Sequence, residues 1–142
     1  MSTDARPDDL PPPTAAPRAA TTAAPGSGDP LAELRDALRT FAAERDWERF
    51  HAPKNLAAAL VVEAGELLEP FQWLPDDRSH ALPPDVLEAV RMEMAAVLLY
   101  LVRLADRLDV DLADAARRKM AINAMRYPVD KARGRSDKHD RL

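Results

Sequence analysis

The sequence predicts an all-α protein, a four-helix bundle preceded by a disordered N-terminal tail. Apolar residues recur at spacings of three, four and seven in separate stretches, and short connections divide those stretches. None of them alternates apolar and polar residues as a half-buried strand does, so helices packed on helices are the expected architecture. Seven of the thirteen prolines lie at or before Pro30, which leaves the rest of the chain free for long helices. No repeat of fixed period points to a solenoid.

Taken in order, residues 1–29 are rich in Ala, Pro, Thr and Asp and read as a disordered tail. They lack the basic segment and apolar run of a secretory signal. Asp29-Pro30 is a helix start, an N-cap followed by proline at the first helical position, and Leu31, Leu34, Leu38 and Phe41 follow at helical spacing to about Asp46. A short connection, residues 47–55, gathers aromatics, a histidine and cations, as functional loops often do. A second helix is expected from Asn55 to about Phe71, with Leu56, Leu60, Ala64, Leu67 and Phe71 on one face and Gly65 admitting a close neighbour. Pro70 should end or bend it.

A polar, proline-bearing linker precedes a third helix from Asp85 to Leu108. Its stripe is Val86, Val90, Val97, Leu101, Leu104 and Leu108, the pattern of a central core helix. Asp111 caps a fourth helix that must stop before Tyr127-Pro128, because a residue preceding proline is pushed out of the α region. One domain, residues 30–129, is therefore expected, with a loose charged tail at 130–142.

Composition excludes several classes. Lys+Arg 20 against Asp+Glu 24 supplies no basic surface for nucleic acid. The apolar stretch Ala95 to Val102, extended only by Met94, is far short of the roughly 20 residues that cross a bilayer, so no membrane partner is expected. Without cysteine there are no disulfides or thiolate ligands, which suits a reducing, cytoplasmic setting.

The chemistry lies in acidic residues. Glu63, Glu66 and Glu69 recur every three residues, so Glu63 and Glu66 lie nearly one above the other and can share a cation. An isolated E-x-x-E is more often a solvated stripe. Glu93, however, stands among apolar neighbours of the third helix, where a lone acid needs a partner. If the two helices pack antiparallel, Glu63, Glu66 and Glu93 form an oxygen-rich pocket for Mg²⁺ or Mn²⁺.

Several blocks in order then resemble one family: Phe50-His51-x-Pro53-Lys54-Asn55-Leu56, Glu63-x-Gly65-Glu66-Leu67-x-Glu69-x-Phe71-Gln72-Trp73, and Lys119-Met120-x-Ile122-Asn123-x-x-Arg126-Tyr127-Pro128. Together they resemble the MazG-like nucleotide pyrophosphohydrolases, in the dCTP pyrophosphatase branch, over roughly residues 31 to 130. The resemblance implies hydrolysis of a nucleoside triphosphate to monophosphate and pyrophosphate, with magnesium on Glu63, Glu66 and Glu93, in a homodimer or homotetramer. It implies that Trp47, His51 and Trp73 build the base pocket, that Tyr100 lies near the sugar, and that Lys119, Asn123 and Arg126 approach the phosphates. Without the resemblance each has a plainer reading: Trp73 a core plug, His51 a satisfied loop histidine, Arg126 a cation at its own helix C-terminus.

One residue departs from the pattern. The family carries E-x-x-D on its third helix, and Ala96 stands where the aspartate is expected, three residues after Glu93. Three glutamates can still hold Mg²⁺, which readily keeps several waters, but more weakly. Glu69 is the nearest acid able to assist. Asp106 lies about 15 Å farther along the helix. The alternative function is therefore a catalytically degenerate nucleotide-binding or oligomeric interaction protein. A third reading is a structural module whose acidic stripe is only solvated.

Overall fold

The computed structural model describes residues 28–141, so the expected tail lies, but for Gly28 and Asp29, outside the described residues. Among these there is no strand, and the four substantial helices of the expected bundle are present. Helix α1 spans Pro30–Glu44, α2 Pro53–Leu68, α3 Pro84–Arg107 and α4 Leu112–Arg126, and a short α5 covers Val129–Ala132.

Their ends follow from local chemistry. The Asp29 side chain accepts from the Leu31 amide at 3.0 Å, with Pro30 behind it in the first turn. Asp111 does the same for α4 through the Asp114 amide at 2.9 Å. Both caps satisfy an amide that the helix itself leaves unpaired. Helix α2 starts at Pro53, two residues before the expected Asn55, because proline's fixed φ suits a first turn that needs no amide. Asn55 instead donates its side-chain amide to the Phe50 carbonyl at 3.1 Å, tying the connection to the helix. At its other end α2 stops at Leu68, and Pro70 leads into turns in which Phe71 and Gln72 both donate to the Leu68 carbonyl.

Helices α1 and α3 close in the same way. Asp46 and Asp109 adopt left-handed φ values of 53° and 52°. Trp47 then donates to the Ala42 carbonyl at 2.9 Å, and Val110 to that of Ala105 at 2.8 Å. This reversal satisfies the last carbonyls and is usually made by glycine. After α1 it folds Trp47 back against Phe41, with ring centres 5.8 Å apart in an edge arrangement.

Helix α3 is the organising element: α2 packs along it and α1 joins it. The buried residues are Ala42 of α1, Leu56 of α2, and Val90, Val102, Arg103 and Ala105 of α3. The expected stripe of α3 needs correction at its C-terminal half, since Leu101 and Leu108 are exposed and Val102, Arg103 and Ala105 face inward. An ideal period of 3.6 fixes spacing but not which of two adjacent stripes a neighbour covers. Gly65 also serves no close approach within the described chain, since a Cβ there would meet nothing within 4 Å. Helix α4 contributes no buried residue, and Met120 and Met125 on it are 70% and 75% exposed. No helix among the described residues is long and apolar enough to cross a membrane.

Candidate functional site

Packing of α2 against α3 brings the acidic residues together. Glu63 and Glu66, one turn apart on α2, and Glu93 on α3 each place a ligand atom within 4.8 Å of the others. Glu63 and Glu93 are half-buried and Glu66 is exposed, so the cluster opens to solvent on one side. All the donors are hard carboxylate oxygens, the set that Mg²⁺ and Mn²⁺ prefer. Three carboxylates this close on two helices could hold one small cation between them. The residues present therefore fit a divalent cation. Ala96 sits one turn beyond Glu93 on the same side of α3, half-buried, and offers it no oxygen.

A second group forms where the α1–α2 connection lies on α3. A 3₁₀ turn, Glu48–Phe50, separates Trp47 from His51, whose rings meet edge-on at 6.3 Å. Arg103 of α3 reaches up to both ends of that turn. Its Nε donates to His51 Nδ1 at 3.1 Å and its Nη2 to Glu48 Oε1 at 2.6 Å. Its Nη1 donates to Asp106 Oδ2 at 2.9 Å, while Arg39 of α1 donates from Nε to Asp106 Oδ1 at 3.0 Å and Arg107 pairs with Glu48 Oε2 at 3.0 Å. Burial pushes the His51 imidazole to a lower proton affinity than usual, helped by the Arg103 and Arg107 charges and opposed by Glu48. For Asp106 burial acts upward, but the Arg39 hydrogen bond and the two guanidinium charges outweigh it and hold the carboxyl below the usual range. Asp106 is thus committed to arginines.

The remaining expected residues are placed apart. Tyr100 is half-buried on α3, two turns beyond Glu93 on nearly the same side. Trp73 lies in the turns after α2 and is 86% exposed, which rules out the core-plug reading. Lys119, Asn123 and Arg126 share one side of α4 at spacings of four and three, all exposed, with no side-chain hydrogen bond or ion pair among the described residues. A cleft of about 320 Å³ between the start of α1 and the α3–α4 turn is lined by none of these residues. Sequence reasoning missed the roles of Glu48, Arg103 and Arg107. The available signal was Arg103 itself, a cation inside an apolar run with an acid three residues on.

The MazG-like family model matches residues 58–142. The chain belongs to the MazG-like family. Within it the chain falls with the dCTP pyrophosphatases, being 48% identical to dCTP pyrophosphatase 1 of Mus musculus over 114 residues, 79% of this chain and 67% of that protein. It is also 48% identical to dCTP pyrophosphatase 1 of Homo sapiens over 128 residues, 85% of this chain and 75% of that one. A crystal structure of a pyrophosphatase from Archaeoglobus fulgidus superposes with a TM-score of 0.66 at 39% identity, covering 69% of this chain and 92% of that one. This MazG-like chain is accordingly a nucleoside triphosphate pyrophosphohydrolase by class.

Proposed function

We propose that this MazG-like protein hydrolyses dCTP or a modified dCTP-like nucleotide to the monophosphate and pyrophosphate, using Mg²⁺ held by Glu63, Glu66 and Glu93. The observation that carries the proposal is the convergence of those three carboxylates from two helices, in a chain 48% identical to dCTP pyrophosphatase 1. When bound, the cation supplies charge neutralisation at the phosphates and activation of water. The chain supplies the rest. Trp47 and Trp73 give aromatic faces on which a base stacks, a contact worth about 1–3 kcal/mol. His51 borders the base, and Tyr100 the sugar. Lys119, Asn123 and Arg126, without a side-chain partner among the described residues, offer charge-assisted hydrogen bonds to phosphate oxygens.

Ala96 weakens the same site, because a methyl group stands where a fourth carboxylate would complete the cluster. Slow turnover with retained nucleotide binding is the expected result, and Ala96 is also the observation that favours the second reading, a degenerate binding protein. Assembly as a homodimer or homotetramer is part of the proposal. It is supported by the large apolar side chains left exposed, among them Val61, Leu68, Met92, Met94, Met120 and Met125, against five buried hydrophobic residues among those described. The cytoplasmic setting belongs to the proposal too and rests on the cysteine-free sequence.

The test is pyrophosphate release from a panel of deoxynucleoside triphosphates with Mg²⁺, comparing the chain with Ala96→Asp. Release by both supports catalysis on three glutamates. Release by Ala96→Asp alone makes the chain a binding protein, and release by neither removes the enzymatic reading.

A further inference from the structure

Arg103 is the one buried charged residue among those described, at 3% exposure. A buried guanidinium is tolerated only when paired, and Glu48 with Asp106 already supplies two carboxylates for its single charge. Its third contact is of another kind. His51 Nδ1 is a neutral acceptor that contributes nothing to charge balance, yet it receives the Nε–H at 3.1 Å. An arginine nitrogen always carries its hydrogen, so Nδ1 must be the bare nitrogen of the ring and Nε2 must hold the proton. The surroundings point the same way. Arg103 and Arg107 set two positive charges beside His51 against the one carboxylate of Glu48, and a further charge on the ring would be repelled.

We infer that Arg103 is a positioning residue for the nucleobase: it fixes His51 as the neutral Nε2–H tautomer and seats the Trp47–His51 segment on α3. The site thereby presents a fixed hydrogen-bond donor. It takes bases that offer an acceptor there, a carbonyl oxygen or an unprotonated ring nitrogen, and disfavours those that offer a donor. This inference rests on the proposed function, since it takes Trp47 and His51 as a wall of the base pocket. Glu48 and Arg107 act with Arg103, holding the near end of the segment.

The experiment uses the full chain with ¹⁵N-labelled histidine. Two-bond ¹H–¹⁵N correlations at neutral pH, with His51 assigned by its loss in His51→Gln, are expected to show a protonated Nε2 and a bare Nδ1. In parallel, calorimetry reads the affinity for α,β-imido-dCTP with Mg²⁺. Arg103→Met removes the donor while leaving Asp106 its partner Arg39. Arg103→Lys keeps a cation for both carboxylates, and so protects the fold, but its single nitrogen cannot also hold the Nε position. Either variant is expected to release the tautomer and to weaken the analogue about fivefold, the effect of one lost hydrogen bond. The inference is overturned if the unmodified chain carries the proton on Nδ1. It is equally overturned if Arg103→Lys folds and leaves tautomer or affinity unchanged. A chain that shows the Nε2–H tautomer but binds no nucleotide refutes the proposed function, and the positioning role with it. A chain that binds nucleotide with the other tautomer refutes the inference alone.

Discussion

Glu63→Gln should change the stability of this protein in opposite directions with and without magnesium. The carboxylate atoms of Glu63, Glu66 and Glu93 lie within 4.8 Å of one another. Two unit charges at that limit repel by about 0.9 kcal/mol in water, and physiological salt roughly halves this. Glu63 faces two such neighbours, so the metal-free chain should gain about 1 kcal/mol when its charge is removed, a rise in Tm of about 4 °C. Magnesium reverses the order. At one hundred times its Kd, the ion stabilises the unmodified chain by about 2.7 kcal/mol. If losing a ligand weakens binding about a hundredfold, the same magnesium gives the variant only about 0.4 kcal/mol. The variant, more stable in EDTA, should become the less stable of the two by about 1 kcal/mol. Thermal unfolding by circular dichroism, at one protein concentration and matched ionic strength, reads both orders. Equal or lower Tm of Glu63→Gln in EDTA, together with a parallel rise of both proteins in magnesium, would refute a shared cation site and favour a solvated acidic stripe.

Four further outcomes are expected. Asp106→Ala strips one of its two carboxylates from buried Arg103, which keeps Glu48, and should cost about 1.5–3 kcal/mol in denaturant unfolding, whereas a surface pair would cost under about 1 kcal/mol. Because its folded pKa is lowered, the stability Asp106 contributes is present above the unfolded carboxylate value of about 3.9 and is lost as pH falls through the folded one. His51 has a folded pKa below the unfolded value of about 6.5, so acidification below that value protonates the unfolded state first and destabilises the fold; His51→Gln should flatten that part of the stability profile. Trp73→Ala, at a side chain 86% exposed, should leave Tm within about 2 °C but weaken the nucleotide analogue by about 1 kcal/mol or more, and unchanged affinity would remove Trp73 from the base pocket. Asp109→Gly should stabilise by about 0.5–1 kcal/mol, because the left-handed φ of 52° burdens a residue with a Cβ, and a loss of stability would show that its side chain matters more than its backbone.

Much of the fold is written in short-range features that sequence exposes directly. Asp29-Pro30, Asp111 and Tyr127-Pro128 mark helix ends because capping and proline geometry act within a few residues. The start of α2 was displaced from Asn55 to Pro53 for the same local reason, once proline is read as a first-turn residue. The pairing of Glu63 with Glu66 is likewise local, one helical turn.

What only the tertiary structure decided is what depends on how one helix rotates against another. That rotation sets Glu93 beside Glu63 and Glu66, and it turns Val102, Arg103 and Ala105 inward while leaving Leu101 and Leu108 in water. Apolar spacing specifies a face only to within a neighbouring stripe, and the choice belongs to the partner that covers it. Arg103 shows the consequence most clearly. As a residue in a sequence it interrupts an apolar run with an acid one turn on, but in the folded chain it also meets His51 and Glu48 of the α1–α2 connection, more than fifty residues away, because a buried cation needs more partners than its own helix supplies.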